Sequence, residues 1–385
     1  MKIAFDGQML LKGEKTGIAW CAHHLILELA KYEENTCTVQ CFSRGRTAEQ
    51  LQSLDVYRKA GCDIEYCGWF SYVLYKMLWI VFPIPHRLFF RTRPDVAQFF
   101  SFIVPPGVSG RRVTVIHDMA YKSCPHTVNW KTRLWLELSM KKTCRYADHI
   151  VTVSEFSKKE IVRYLKIPEG KITVVPNAVD HRVYHAGYTR KQIQPALDKY
   201  GIEKEYFLYL GTIEPRKNLE RLVLAYARLQ EEVPCVPQLV LAGKEGWMYQ
   251  GLYKKVRQMD LDKKILFPGY VDPKDSPLLM CGAMAFVFPS LYEGFGMPPL
   301  EAMACGTPVI VSNTAAFPEV VKDAGILVDP ECEEELYQAM KSLLEQEGYR
   351  KILGLLGAER AERYTWQRSA EELMKLYRGM GNERF

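Results

Sequence analysis

The sequence predicts an α/β protein of two successive domains, each a parallel sheet covered by helices. Three observations lead there. At 385 residues the chain exceeds the ~100–200 residues of a typical single core. Short β-type runs alternate throughout with longer stretches of helical spacing. The alternation begins afresh near residue 205, after residues 176–204. That stretch holds Pro176, Asn177, Gly187 and Pro195, which suits a linker.

In the first half, Lys2–Phe5, Val96–Phe99, Arg112–Ile116, His149–Val153 and Ile172–Val175 read as strands. Ala19–Ala30, Trp130–Ala147 and Ser157–Tyr164 read as helices. The second half gives strands at Tyr206–Leu210, Gln238–Ala242, Ile265–Phe267, Ala285–Phe288 and Pro308–Val311. Its helices are Leu219–Leu229, Tyr249–Met259, Pro277–Met280, Pro299–Ala304 and Glu333–Leu344. A last helix, Tyr364–Tyr377, carries Trp366, Ala370, Leu373 and Leu376 on its apolar side. Ligands of open α/β sheets bind beyond the carboxyl ends of the strands, so function is sought there.

The composition is ordinary and globular, with no repeat and no low-complexity tract. Charge is uneven. Residues 1–175 hold 25 Lys and Arg against 16 Asp and Glu, a balance of +9 within a chain of net +6. A basic half attracts phosphates or an anionic membrane surface. The 11 cysteines form no C-x-x-C pair, and free thiols in a reducing cytosol are expected. The start, MKIAFDGQML, lacks the apolar core of a signal peptide and reads as a buried strand.

The segment Pro289–Pro308, PSLYEGFGMPPLEAMACGTP, carries the strongest chemical signal. A buried strand runs into a loop with Gly294 and Gly296, and prolines then open a helix. That helix presents unpaired N–H groups and a positive dipole end, which suit a diphosphate. Glu293 lies in the loop and Glu301 is expected in the first helical turn. Each carboxylate can accept two hydrogen bonds, as vicinal sugar hydroxyls require.

A second junction, GTIEPRKN at 211–218, places Arg216 and Lys217 between a strand and a helix, where two cations suit a diphosphate. In the first half, His117 and Asp118 end a strand, and Thr16, Gly17 and Ile18 follow the loop after the first strand. Neither a dinucleotide glycine fingerprint nor a P-loop occurs. Asp260 and Asp262 form a D-x-D that reads as a solvated turn, and His181 and His185 have no third ligand in view.

Taken together, these residues resemble glycosyltransferase family 4. Glu293 and Glu301 match the family's E-x7-E motif, and Arg216 and Lys217 match its phosphate-binding pair. IHD at 116–118, VTVSEFSKKEI at 151–161, ITVVPNAVD at 172–180 and FPSLYEGFGMPPLEAMACGTPVIVSN at 288–313 extend the likeness. The resemblance implies the GT-B fold: two Rossmann-like domains facing across a cleft, with a C-terminal helix crossing back to the first. The expected domains are 1–180, on the acceptor side, 181–365, on the nucleotide-sugar side, and the returning helix 366–385.

It also implies roles. Arg216 and Lys217 would bind the donor diphosphate, Glu301 the ribose, and Glu293 would lie against the transferred sugar. Backbone across Gly294, Phe295, Gly296 and Met297 would contact sugar and phosphate, and Tyr270 and Val271 would border the base. His117 would sit by the sugar, and Gly17 would let the first loop approach the donor. The expected reaction is metal-independent, retaining hexosyl transfer from a UDP- or GDP-linked donor, without a cofactor. The first loop, TGIAW, departs from the common family pattern, and that leaves the acceptor side less defined.

The most apolar stretch is residues 66–90, with the run from Trp69 to Phe82 broken by Lys76 and closed by Pro83. It is shorter than the ~20 residues of a spanning helix. Two readings stand: a buried helix, or an aromatic patch at a membrane interface with Arg87, Arg91 and Arg93 beside it. The second favours a polyprenyl-linked saccharide acceptor, polysaccharide assembly, and a cytoplasmic protein at the inner face of the membrane. A sugar-nucleotide epimerase or a non-catalytic binding subunit fits less well, because both glutamates and both cations are intact. The basic first half also raises a nucleic-acid binder as a third reading, but no recognition helix or RNA-stacking motif appears.

Overall fold

Apolar runs that are buried on both faces become parallel strands, and two parallel sheets result. A computed structural model describes residues 1–11, 16–82 and 84–382. Part of the first loop and Pro83 therefore lie outside the described residues, as does the end of the segment 366–385.

The first sheet has seven strands: β1 (Lys2–Asp6), β2 (Thr36–Phe42), β3 (Asp63–Cys67), β4 (Val96–Phe99), β5 (Arg111–Val115), β6 (His149–Thr152) and β7 (Ile172–Val174). They are ordered β3-β2-β1-β4-β5-β6-β7. The second sheet has six: β8 (Tyr206–Leu210), β9 (Gln238–Ala242), β10 (Ile265–Leu266), β11 (Ala285–Phe288), β12 (Val309–Ser312) and β13 (Ile326–Val328). Their order is β10-β9-β8-β11-β12-β13. The registers Ile3↔Val96 and Phe207↔Ala285 join strands distant in sequence and mark the point where each order reverses. Such reversals open a crevice at the carboxyl ends of the strands.

Met1–Asn177 and the helix Trp366–Asn382 make one unit, and Ala178–Thr365 the other. The last helix buries Trp366, Ala370, Leu373, Met374 and Tyr377, whereas Leu376 is only half-buried. It packs on the helix Gly17–Leu29. The Tyr377 hydroxyl donates to Gln98 Oε1 at 2.7 Å, with both residues fully buried.

Several expectations need correction. The linker at 176–204 contains a helix, Arg190–Lys199, with Pro195 inside it. Thr189 and Gln192 form a capping box there, which secures the first turn before the proline interrupts the ladder. The strands β2, β3 and β13 and the helix Glu347–Ala361 were not anticipated.

The apolar stretch forms a helix, Tyr72–Val81, that fits neither reading alone. Tyr75 and Trp79 are buried, while Val73, Leu74, Met77 and Val81 are exposed. On the helix Trp130–Tyr146, Trp130, Leu134 and Leu138 are exposed at the same four-residue spacing. Lys142 ties the two helices by donating to the carbonyls of Trp79 and Ile80. Among the described residues, no helix is long and apolar enough to cross a membrane.

Tyr377→Phe should destabilise the first unit by about 1–3 kcal/mol, because Gln98 Oε1 would be left buried without its donor. Chemical denaturation of the two proteins checks this.

Candidate functional site

The two predicted phosphate-side segments both follow strands of the second unit at their carboxyl ends. After β8 the chain makes a short turn, Pro215–Lys217, and Asn218 adopts a left-handed conformation with φ 59°. The helix Leu219–Glu232 starts there. Asn218 Nδ2 donates to the carbonyls of Pro289 (3.1 Å) and Pro330 (2.7 Å). Leu291 N and Ser290 Oγ both donate to the Arg216 carbonyl, at 2.9 and 3.1 Å. The turn after β8 is thus latched to the loop after β11.

This latch brings Arg216, Lys217 and Glu293 together. Arg216 donates to Glu293 Oε1, to the Tyr292 carbonyl and to Glu214 Oε1, at 2.7–2.8 Å. The Lys217 ammonium bonds to Glu293 and stands 4.8 Å from the centre of the Phe288 ring. Ser290 Oγ also lies 3.0 Å from the same carboxylate oxygen, so its single proton is shared between that oxygen and the Arg216 carbonyl. Burial draws the Lys217 pKa below the ordinary lysine value, against the pull of Glu293. Burial pushes Glu293 upward, but Arg216 and Lys217 outweigh it and hold the carboxyl below its usual range. Two cations therefore face two carboxylates, Glu214 and Glu293.

Beyond Glu293 the loop turns through Gly294, Phe295 and Gly296. Gly296 has φ 98°, and a Cβ there would come within 2.8 Å of the Phe317 ring, so only glycine fits. It caps the helix Met297–Ala304, where Pro298 and Pro299 carry no N–H and Leu300 N donates back to the Gly296 carbonyl, so Met297 supplies the N–H without an intrahelical acceptor. Phe295 is buried edge-on against Tyr364.

Glu301 is the fifth residue of this helix and so lies in its second turn, one turn later than expected. The helix begins at Met297, because a left-handed glycine can end the loop before the prolines. Burial raises the Glu301 pKa to about 8, opposed by a hydrogen bond with the Tyr184 hydroxyl. Its carboxyl is mostly protonated at neutral pH. The stability it lends is present at acid pH and is lost as pH rises through 8.

Val271 is buried, and Tyr270 is half-exposed with the Lys244 ammonium 4.6 Å from its ring centre. Sequence reasoning missed Glu214, Asn218, Ser290, Tyr184 and Lys244. Asn218 had a signal, since asparagine before a helix is a capping residue; the others gather only in space.

His117 and Gly17 belong to the first unit. His117 follows β5, and its imidazole is 8% exposed. Burial lowers its pKa to about 4, so the ring is neutral at physiological pH. Its Nε2 is buried with no partner among the described residues, unlike that of a satisfied structural histidine. The Asp118 carboxylate accepts from Ala120 N at 2.9 Å. Gly17 opens the first helix with no atom within 4 Å of where its Cβ would be.

The D-x-D lies on an exposed turn, with Asp260 at φ 54°. His181 Nε2 lies 3.2 Å from the Tyr364 carbonyl, and His185 Nδ1 accepts from Gly187 N. Among the described residues, no three His, Cys, Asp or Glu side chains cluster as metal ligands would.

Comparison with known proteins decides the family. The profile described as "Glyco_transf_4: Glycosyltransferase Family 4" matches residues 15–183, and "Glycosyl transferases group 1" matches 192–360. The O-antigen chain mannosyltransferase B of Escherichia coli is 34% identical over 269 residues, 70% of each chain. The chain belongs to glycosyltransferase family 4. A serotype-specific mannosyltransferase, WbdA of Escherichia coli, is 30% identical over 72% of this chain, which spans only 36% of that protein's length. Among solved structures, Anabaena HepE in complex with UDP and glucose superposes with a TM-score of 0.72 at 16% identity, covering 98% of this chain and 100% of that one. The two parallel-sheet units of this family 4 member are those of the GT-B fold.

If Glu301 binds the ribose as a carboxylate, affinity for a nucleotide sugar should climb from pH 6 to 8 and level off above. Glu301→Gln should abolish that climb. Calorimetric titration across this pH range checks it.

Proposed function

We propose that the protein transfers a hexose, of mannose type, from a UDP- or GDP-linked donor to a saccharide or polyprenyl-linked saccharide, with retention of anomeric configuration and without a metal. The observation that carries this reading is the pairing of Arg216 and Lys217 with Glu293, at the carboxyl end of β8 and beside the N-terminus of the helix Met297–Ala304. Such a site offers two cations and, at the positive end of the helix, the Met297 N–H to a leaving diphosphate. The names of the Escherichia coli relatives support mannose and surface polysaccharide, and the UDP and glucose bound to HepE support a nucleotide-sugar donor.

The bond between the anomeric carbon and the diphosphate oxygen breaks, and the nucleoside diphosphate leaves with the electron pair. The acceptor hydroxyl attacks from the same face and passes its proton to the departing phosphate. Arg216 and Lys217 stabilise the charge that develops there. Glu293, exchanged off the cations by the phosphate, becomes available to the sugar hydroxyls. Neutral His117 serves as a hydrogen-bond partner and not as a cation.

On the acceptor side, the exposed apolar residues of Tyr72–Val81 and Trp130–Tyr146 support contact with the inner face of a membrane. Exposed Lys131, Arg133 and Lys141 on the second helix, with Arg87, Arg91 and Arg93, supply charge for anionic lipid.

The test is nucleotide release from a panel of UDP- and GDP-sugars, with and without polyprenyl-linked saccharides. One donor should be consumed only with acceptor present. Lys217→Ala should cut that rate by about 100-fold or more. Near-normal turnover in a folded Lys217→Ala protein would remove the diphosphate assignment.

A further inference from the structure

The crevice where the first sheet reverses its order holds a groove that the donor chemistry does not use. It has a volume of about 580 Å³ and lies at the carboxyl ends of β1 and β4. Gln8 and Met9 follow β1, and Phe100–Ile103 follow β4; the helix Tyr72–Val81 and Trp135 complete the walls. This volume is in the range of small-molecule sites, roughly 300–1,000 Å³.

Its lining combines polar, cationic and apolar side chains. Gln8 is 4% exposed. Its Oε1 accepts from Phe42 N at 3.0 Å, which fixes the amide, but its Nε2 is buried with no partner among the described residues. A buried donor without an acceptor is costly, but this one lies beneath the groove surface and is not reached from it. Nearby, the Ser101 hydroxyl is already committed to Asp6, at 2.6 Å. Two cations, Arg46 and Lys76, line the groove, and the Lys76 ammonium is held 4.2 Å from the centre of the Trp135 ring. Val73 and Met77 lie one turn apart on the same helix and are 58% and 63% exposed, so the wall continues into the exposed apolar residues of that helix.

We infer that this groove binds the phosphate-bearing head of a polyisoprenyl-linked acceptor. The anion lies between Arg46 and Lys76, and the first isoprene units lie along Val73, Met77 and Trp135. The inference rests on the transferase reading above and assigns its acceptor an anchoring site in the first unit. An apolar groove without cations would suit a neutral lipid, and a cationic groove without an apolar wall a free sugar phosphate; this one has both.

The test uses the full chain and farnesyl diphosphate as probe, followed by tryptophan fluorescence, with farnesol and inorganic diphosphate as comparison ligands. Farnesyl diphosphate should bind at least roughly tenfold more tightly than either. The change should be lost in Trp135→Phe. Arg46→Glu with Lys76→Glu should reduce farnesyl diphosphate affinity to that of farnesol. Equal affinity for inorganic diphosphate would overturn the lipid half of the assignment, and equal affinity for farnesol the anionic half. These comparisons need no variant, so misfolding of the double substitution leaves the proposal open to refutation. Nucleotide-sugar binding is titrated on the same samples. Its absence would count against the transferase reading alone, whereas farnesyl diphosphate binding that ignores the groove substitutions would count against this site alone.

Discussion

One carboxylate holds two cations, and the candidate site of the second unit is arranged around that fact. Glu293 accepts from both Arg216 and Lys217, and all three side chains are largely buried. Removing charges from water is expensive unless they are paired and hydrogen-bonded. The backbone latch between the turn after β8 and the loop after β11 fixes the partners, and Ser290 and the Tyr292 carbonyl complete their bonds. Glu214 brings the local charge near zero. The cluster is therefore neutralised from within, and under the proposed function a diphosphate would take the place that Glu293 occupies.

In each unit the ionisable groups singled out above are set in different states by burial. Lys217 and Glu293 stabilise one another as an ion pair. Glu301 has no cation beside it and stays protonated up to about pH 8. His117, in the other unit, is neutral at any physiological pH. Each state follows from the partner that burial leaves to the group, and the partner follows from the turn that presents it.

Much of this was legible in the sequence, and the exceptions have physical causes. The apolar runs YFLYL, AFVF and VIVS stand out because both faces of their sheet are covered. The strand Asp63–Cys67 lies at a sheet edge, is mostly half-exposed and carries two acids, so it has no such run. The helix Glu347–Ala361 was hidden by its glycines, which read as breakers. At Gly354 a Cβ would sit 2.4 Å from the Gly306 carbonyl, so the residue that weakens the helix is what lets it pack beside Met297–Ala304. The E-x7-E spacing and the Arg-Lys pair pointed to the donor site, but not to their mutual ion pairing. That contact joins residues 76 and 77 positions apart. The proposed groove in the first unit was less legible still, because it draws on five separate segments.

The exchange of Glu293 for a diphosphate is tested most directly by measuring nucleoside diphosphate affinity, by calorimetry, in the wild type and in Glu293→Gln. With the competing carboxylate neutralised, binding should tighten by about tenfold while sugar transfer falls. Weaker nucleoside diphosphate binding in Glu293→Gln would contradict the account.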